Sequence, residues 1–239
     1  MTSDPSRIPV RVPAEPGAAP PSDDALAAGL RGFGPLGILA ILAILAGNAL
    51  FLPFSAILVL LWAWRSRTPW REIGYAWPNN WAATAAIGIP FGIAFKFLMK
   101  AIVMPLLGAD PINQTYHYLA GNQAALPGAI YAMIVGAGFG EETVFRGYLF
   151  ERFGKAFGSG GGAKVAIVLI TSIWFGLGHT NQGIPGVEQA TIVGLVYGTI
   201  MAVTGRIWIL MVAHAAFDLT ALAMIYWNLE TRVAHLVFR

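Results

Sequence analysis

The sequence predicts an all-α fold, a polytopic membrane bundle of six to eight transmembrane helices. Three observations carry that prediction. Hydrophobic residues make up 56% of the 239 and charged residues only 11%, whereas a soluble domain carries about 25% charge. The apolar stretches are continuous rather than alternating, which suits helices and not a closed barrel. Polar loops and glycine turns separate these stretches at membrane-length intervals.

Residues 1–30 read as a disordered tail, because Val10 to Asp24 is rich in Pro and Ala and cannot form a core. The tail lacks the apolar stretch of a signal peptide before Leu30. Residues 31–239 read as one membrane-embedded domain. Phe33 to Trp64 has no charge and would be about 48 Å long as a helix, against a bilayer core of about 30 Å. Asn48 and Pro53 lie near its middle, so two short helices in a hairpin are expected, with one kinked helix as the alternative.

The basic loop Arg65–Arg71 follows. The next apolar segment runs from about Trp81 to Leu107 and carries Lys96 and Lys100. Asp110 to Gly128 is a turn-rich loop, and Ala129 to Phe150 a helix with two acids inside it. After the glycine turn Phe157–Gly162, helices are expected over Lys164–His179, Val187–Val203 and Ile207–Trp227, with a short amphipathic tail. The positive-inside rule puts the loops with Arg65–Arg71, Arg152, Lys155, Lys164 and Arg206 on the cytoplasmic side. Loops 108–128 and 180–186 have no Lys or Arg and fall outside.

Net charge is only +3, with no basic stripe for nucleic acid. The chain has no cysteine, which excludes disulfides, thiolate metal ligands and a cysteine nucleophile. No Gly-x-Ser-x-Gly elbow or His-Glu-x-x-His helix occurs. Water is therefore the remaining nucleophile for any hydrolysis.

Three ionisable clusters lie within the apolar segments: Glu141-Glu142 with Arg146, Phe175 with His179, and His214 with Asp218. Such charges are costly in hydrocarbon, about 2.5–3.5 kcal/mol each on insertion scales, so they imply partners or a task. Glu142 and Arg146 are one helical turn apart and suit an ion pair. Glu141 lies about 100° around an α-helix from Glu142 and points elsewhere. This division leaves Glu141 as the reactive carboxylate; in the alternative both acids are structural. Phe175 can wall off His179. His214 and Asp218 share a face as an orienting couple, half a metal site or a buried hydrogen bond. Measured from the basic loops, the clusters sit at roughly 12–22 Å along their helices, from the inner half to the middle of the bilayer.

In this order and spacing, Glu-Glu-x-x-x-Arg at 141–146, Phe-x-x-x-His at 175–179 and His-x-x-x-Asp at 214–218 resemble the CPBP (Abi) intramembrane protease family. That family includes the Ras-converting CAAX prenyl endopeptidases. The likeness covers roughly residues 130–225, flanking text such as Val144-Phe145-Arg146-Gly147-Tyr148-Leu149 included. It implies an intramembrane endopeptidase with Glu141 as general base, and with the depths above, cleavage is expected near the cytoplasmic side. His179 would hold the water, and His214 with Asp218 would stabilise the oxyanion. Glu142, Arg146 and Phe175 would support the site. The family is described both as zinc and as metal-free enzymes, so Glu141, His179, His214 and Asp218 are the ligands if zinc is used. Asp218 stands where the CAAX endopeptidases typically have Asn; it must be protonated to donate, or orient His214, or bind a metal.

The implied substrate is a peptide or membrane-protein terminus, prenylated in the eukaryotic members, met in a lipid bilayer. The Ala-, Gly- and Arg-rich style points to a bacterial plasma membrane. Two other classes compete: a proton-coupled transporter using the same buried acids and imidazoles with Lys96 and Lys100, and a non-catalytic scaffold. His117 and His235 receive no role.

Overall fold

A computed structural model describes residues 24–50 and 52–238. Most of the N-terminal tail, residues 1–23, lies outside the described residues. The end of the stretch read as tail is helical: Ala25–Arg31 forms a helix capped by Asp24, whose Oδ1 accepts from the Leu26 N–H at 3.1 Å. An acceptor at this position satisfies one of the N–H groups left free at a helix start. Asp24 is in turn held by Arg65, at 2.6 Å.

All regular elements among the described residues are helical. Pro35–Leu50 and Leu52–Arg65 form the expected antiparallel hairpin. The Ser55 hydroxyl donates to the Ile44 carbonyl. At the open end, Trp62 Nε1 donates to the Leu30 carbonyl at 3.0 Å, and Arg31 donates to that of Ser66 at 3.1 Å.

The count of spans is smaller than expected. Four helices among the described residues are long and apolar enough to cross a membrane: Trp81–Leu106, Gln123–Phe157, Thr180–Thr204 and Trp208–Tyr226. A fifth is reached if Ala25–Arg31 and Pro35–Gly47, bent by 59°, act as one. The remaining apolar helices, Pro53–Arg65 and Gly161–Leu177, are shorter. Gly161–Leu177 has 17 residues, about 26 Å of helix. It stops there because the Gly178-His179 turn leaves it.

The long helices pack through small residues, as membrane helices do where little hydrophobic force drives them together. At Gly92 a side chain would meet the Ala213 carbonyl at 2.1 Å; at Gly176 it would meet Thr191 Oγ1 at 2.0 Å. These approaches draw Trp81–Leu106 onto Trp208–Tyr226, and Gly161–Leu177 onto Gly183–Thr204.

The loops sort by charge. At one end Arg152 donates to the Arg31 carbonyl (3.0 Å), Lys155 faces Glu72 (3.9 Å), and the Ile207 N–H donates to the Gly74 carbonyl (3.1 Å). At the other end the Asn113 N–H donates to Glu230 (3.0 Å), the Gly121 N–H to the Tyr226 carbonyl (3.0 Å), and Gln182 to the Tyr116 hydroxyl (3.2 Å). The basic loops therefore share one end, and the loops without Lys or Arg share the other.

Candidate active site

Glu142 is the hub. It is fully buried, and its Oε1 accepts from Arg146 at 2.9 Å and from His214 Nδ1 at 2.6 Å. Arg146 stacks its guanidinium on the Phe175 ring, 4.6 Å from the centroid. A buried ion pair holds only when further hydrogen bonds serve its charges, and His214 supplies one here.

The two glutamates do not point apart as an α-helix would have them. Residues Ala132–Leu149 wind as a π-type helix. Its i→i+5 bonding widens the turn and reduces the rotation between neighbours. Glu142 reaches Nδ1 of His214, while Glu141 Oε2 lies 3.8 Å from Nε2 of the same ring. Asp218 Oδ2 is 3.7 Å from that Nε2. The carboxylate that orients His214 is thus Glu142, on the adjacent helix Gln123–Phe157, and not Asp218 one turn along its own helix.

Those two Nε2 distances exceed a hydrogen bond. Glu141 Oε2 is buried and has no hydrogen-bond partner among the described residues. His179 sits in the turn beyond Gly161–Leu177 rather than inside the helix, and its Nδ1 donates to the Phe175 carbonyl at 2.8 Å. Since a carbonyl only accepts, Nδ1 carries the hydrogen and Nε2 remains free. The Phe175 and His179 rings meet edge-on at 4.7 Å, so Phe175 walls the imidazole as expected.

Glu141, His179, His214 and Asp218 all line one cavity of about 220 Å³, far more than the roughly 10–15 Å³ one water needs. Its far side is closed by Asn113 and Tyr116 of loop 108–128 and by Gln182. The chamber therefore extends toward the end without basic residues, and not into the inner half. Measuring depth along straight helices from the basic loops missed this, because Gln123–Phe157 runs for 35 residues and loop 108–128 folds over its start. Burial pushes the Tyr116 phenol above its ordinary value, with the Asp218 and Glu141 charges adding to the shift, so it stays a neutral hydroxyl.

Residues 123–220 match a family model described as type II CAAX prenyl endopeptidase Rce1-like. No curated protein and no solved structure matches the chain. The CAAX-protease-like segment contains both glutamates, Arg146, His179, His214 and Asp218, and leaves the hairpin and Trp81–Leu106 outside it.

A metal fits the chamber poorly. Zinc needs three or four donors at about 2.0–2.3 Å. Among the described residues no group of three or more His, Asp and Glu side chains converges to hold an ion. The four residues read as alternative zinc ligands line the same cavity without closing around one point.

The sequence reading gave three neighbours of the site no part in hydrolysis. Tyr197 packs edge-on against His214 at 5.5 Å. The Tyr75 hydroxyl donates to Thr143, whose own hydroxyl donates to the Phe139 carbonyl. Lys96, named from the sequence only for the competing transporter reading, lines the chamber. Its charge within an apolar span was the available signal.

Proposed function

We propose that this protein is an integral-membrane endopeptidase that hydrolyses a peptide bond with water activated by Glu141. One observation carries the reading: Glu141 Oε2, with no hydrogen-bond partner among the described residues, faces His214 Nε2 across 3.8 Å inside the cavity. That gap suits a solvent molecule bridging both groups. The match of residues 123–220 to the Rce1-like family supports the same chemistry.

Glu141 takes a proton from water as the water oxygen adds to the peptide carbonyl carbon. His179 Nε2 steadies that water. The carbonyl π electrons move to oxygen, and the oxyanion accepts a hydrogen bond from His214 when Nε2 carries a proton. Asp218 adds a second donor in its protonated form. Glu141 then returns the proton to the leaving nitrogen as the C–N bond breaks, giving a carboxylic acid and an amine. Glu142 fixes His214 with Nε2 toward the chamber, and Arg146 balances Glu142.

The chamber extends away from the basic loops, so by the positive-inside rule its substrate comes from the extracytoplasmic side. This departs from the cytoplasmic-side cleavage expected from the sequence. The substrate is a peptide or membrane-protein terminus, and the setting a bacterial plasma membrane. The test is cleavage of a quenched peptide library by the full-length protein in detergent. Glu141→Gln abolishes cleavage with unchanged thermal unfolding, and a chelator leaves the wild type active. Equal cleavage by Glu141→Gln overturns the proposal.

A further inference from the structure

We propose that the Lys96 ammonium is an anion subsite of the chamber that holds a carboxylate of the peptide substrate; this rests on the endopeptidase reading. Lys96 belongs to Trp81–Leu106, outside the segment that matches the family model. It is only 7% exposed and lines the same cavity as Glu141 and His214.

Its direct contacts are neutral, and the acids Asp218 and Glu230 and the Lys100 ammonium act on it only through space. Lys96 Nζ donates to Gln189 Oε1 at 3.1 Å and stands 4.6 Å from the centroid of the Phe217 ring. Lys100, one turn on, takes the acid of this region: it pairs with Glu230 at 3.2 Å and donates to the Pro111 carbonyl. No carboxylate oxygen among the described residues comes within ion-pair distance of Lys96. An amide and a ring face do not compensate a buried cation as a carboxylate does.

Charge in the chamber favours the same occupant at the same place. The Glu141 carboxylate repels a substrate carboxylate from the water site. Lys96 is the sole Lys or Arg among the residues lining the cavity. Phe217 follows His214 by three residues on Trp208–Tyr226, so a carboxylate on Lys96 sits about one helical turn from the oxyanion site. It therefore belongs a short way along the peptide from the scissile bond. Two sources share this chemistry, the free C-terminus and an acidic side chain.

The experiment uses full-length protein in detergent and matched fluorescent peptides. One pair differs as free acid against C-terminal amide, the other as internal Glu against Gln. In the wild type, kcat/KM favours the carboxylate member of one pair by about 10–100-fold, the range for a charge-assisted hydrogen bond. The pair that responds names the source. Lys96→Met erases that ratio and Lys96→Arg keeps most of it. A wild type indifferent to both pairs overturns the inference, as does Lys96→Met slowing both members equally, the mark of a structural lysine. Binding of the same peptides to Glu141→Gln and to Glu141→Gln/Lys96→Met reads the subsite without cleavage. Carboxylate-selective binding lost with Lys96 supports the subsite even if no peptide is cut. Absence of selectivity refutes it even if peptides are cut.

Discussion

Glu142 and His214, on different helices, meet at 2.6 Å, and the same carboxylate oxygen also accepts from Arg146. One acid therefore fixes the imidazole and balances a guanidinium that is 2% exposed. Glu142→Gln keeps the shape and removes the charge, leaving Arg146 uncompensated. Breaking a buried pair from one side costs about 3–5 kcal/mol. Thermal unfolding in detergent should fall sharply for Glu142→Gln and recover in part for Glu142→Gln/Arg146→Met, while both lose peptidase activity. A Glu142→Gln variant that melts and cleaves like the wild type contradicts this role.

What the sequence disclosed follows from what is local. The i, i+4 spacing of Glu142 and Arg146 predicts their ion pair, and the structure has it. The charge-free run around Pro53 predicts the hairpin. The sorting of Arg and Lys among the loops predicts which loops share an end. Pairings between helices were hidden, because spacing along one helix is silent on its rotation against another. Asp218 was the natural partner of His214 by spacing, yet Glu142 holds it. The π-type winding that turns both acids toward one ring also leaves no simple period to read. The six-to-eight count failed because it treated Leu52–Arg65 and Gly161–Leu177 as full spans, although they have 14 and 17 residues against about 20 for a bilayer crossing.

Close packing at Gly176 makes a specific stability prediction. A methyl group there would meet Thr191 Oγ1 at 2.0 Å and the Val187 carbonyl at 2.9 Å. Overpacking of this kind costs about 1–3 kcal/mol. Gly176→Ala should lower the unfolding temperature and, by shifting Phe175 and His179, the activity. Gly162→Ala, in open space on the same helix, should do neither. Equal behaviour of the two variants would remove the packing argument.

Tyr75 gives an alkaline signature. Burial pushes its phenol up to about 12, against a smaller opposing effect of the Thr143 hydrogen bond. A folded-state value raised above the ordinary value of about 10 means its contribution to stability is complete below that pH. That contribution is lost as pH rises through about 12. Between these limits the wild type should lose unfolding temperature more steeply than Tyr75→Phe. Parallel curves would show that the buried phenol does not control this titration.

The absence of cysteine makes topology directly measurable. Single cysteines at exposed Gln123 and Ser159 report the two ends. A membrane-impermeant maleimide should label Gln123→Cys on intact spheroplasts and Ser159→Cys only after lysis. The reverse pattern would put the chamber on the cytoplasmic side.

The central claim is that water, activated by Glu141, enters the product. Cleavage in oxygen-18 water, with the new C-terminus read by mass spectrometry, tests it most directly. The wild type should place one heavy oxygen in the new carboxyl group, and Glu141→Gln should give no product. Product without the label, or labelled product at an undiminished rate from Glu141→Gln, would contradict it.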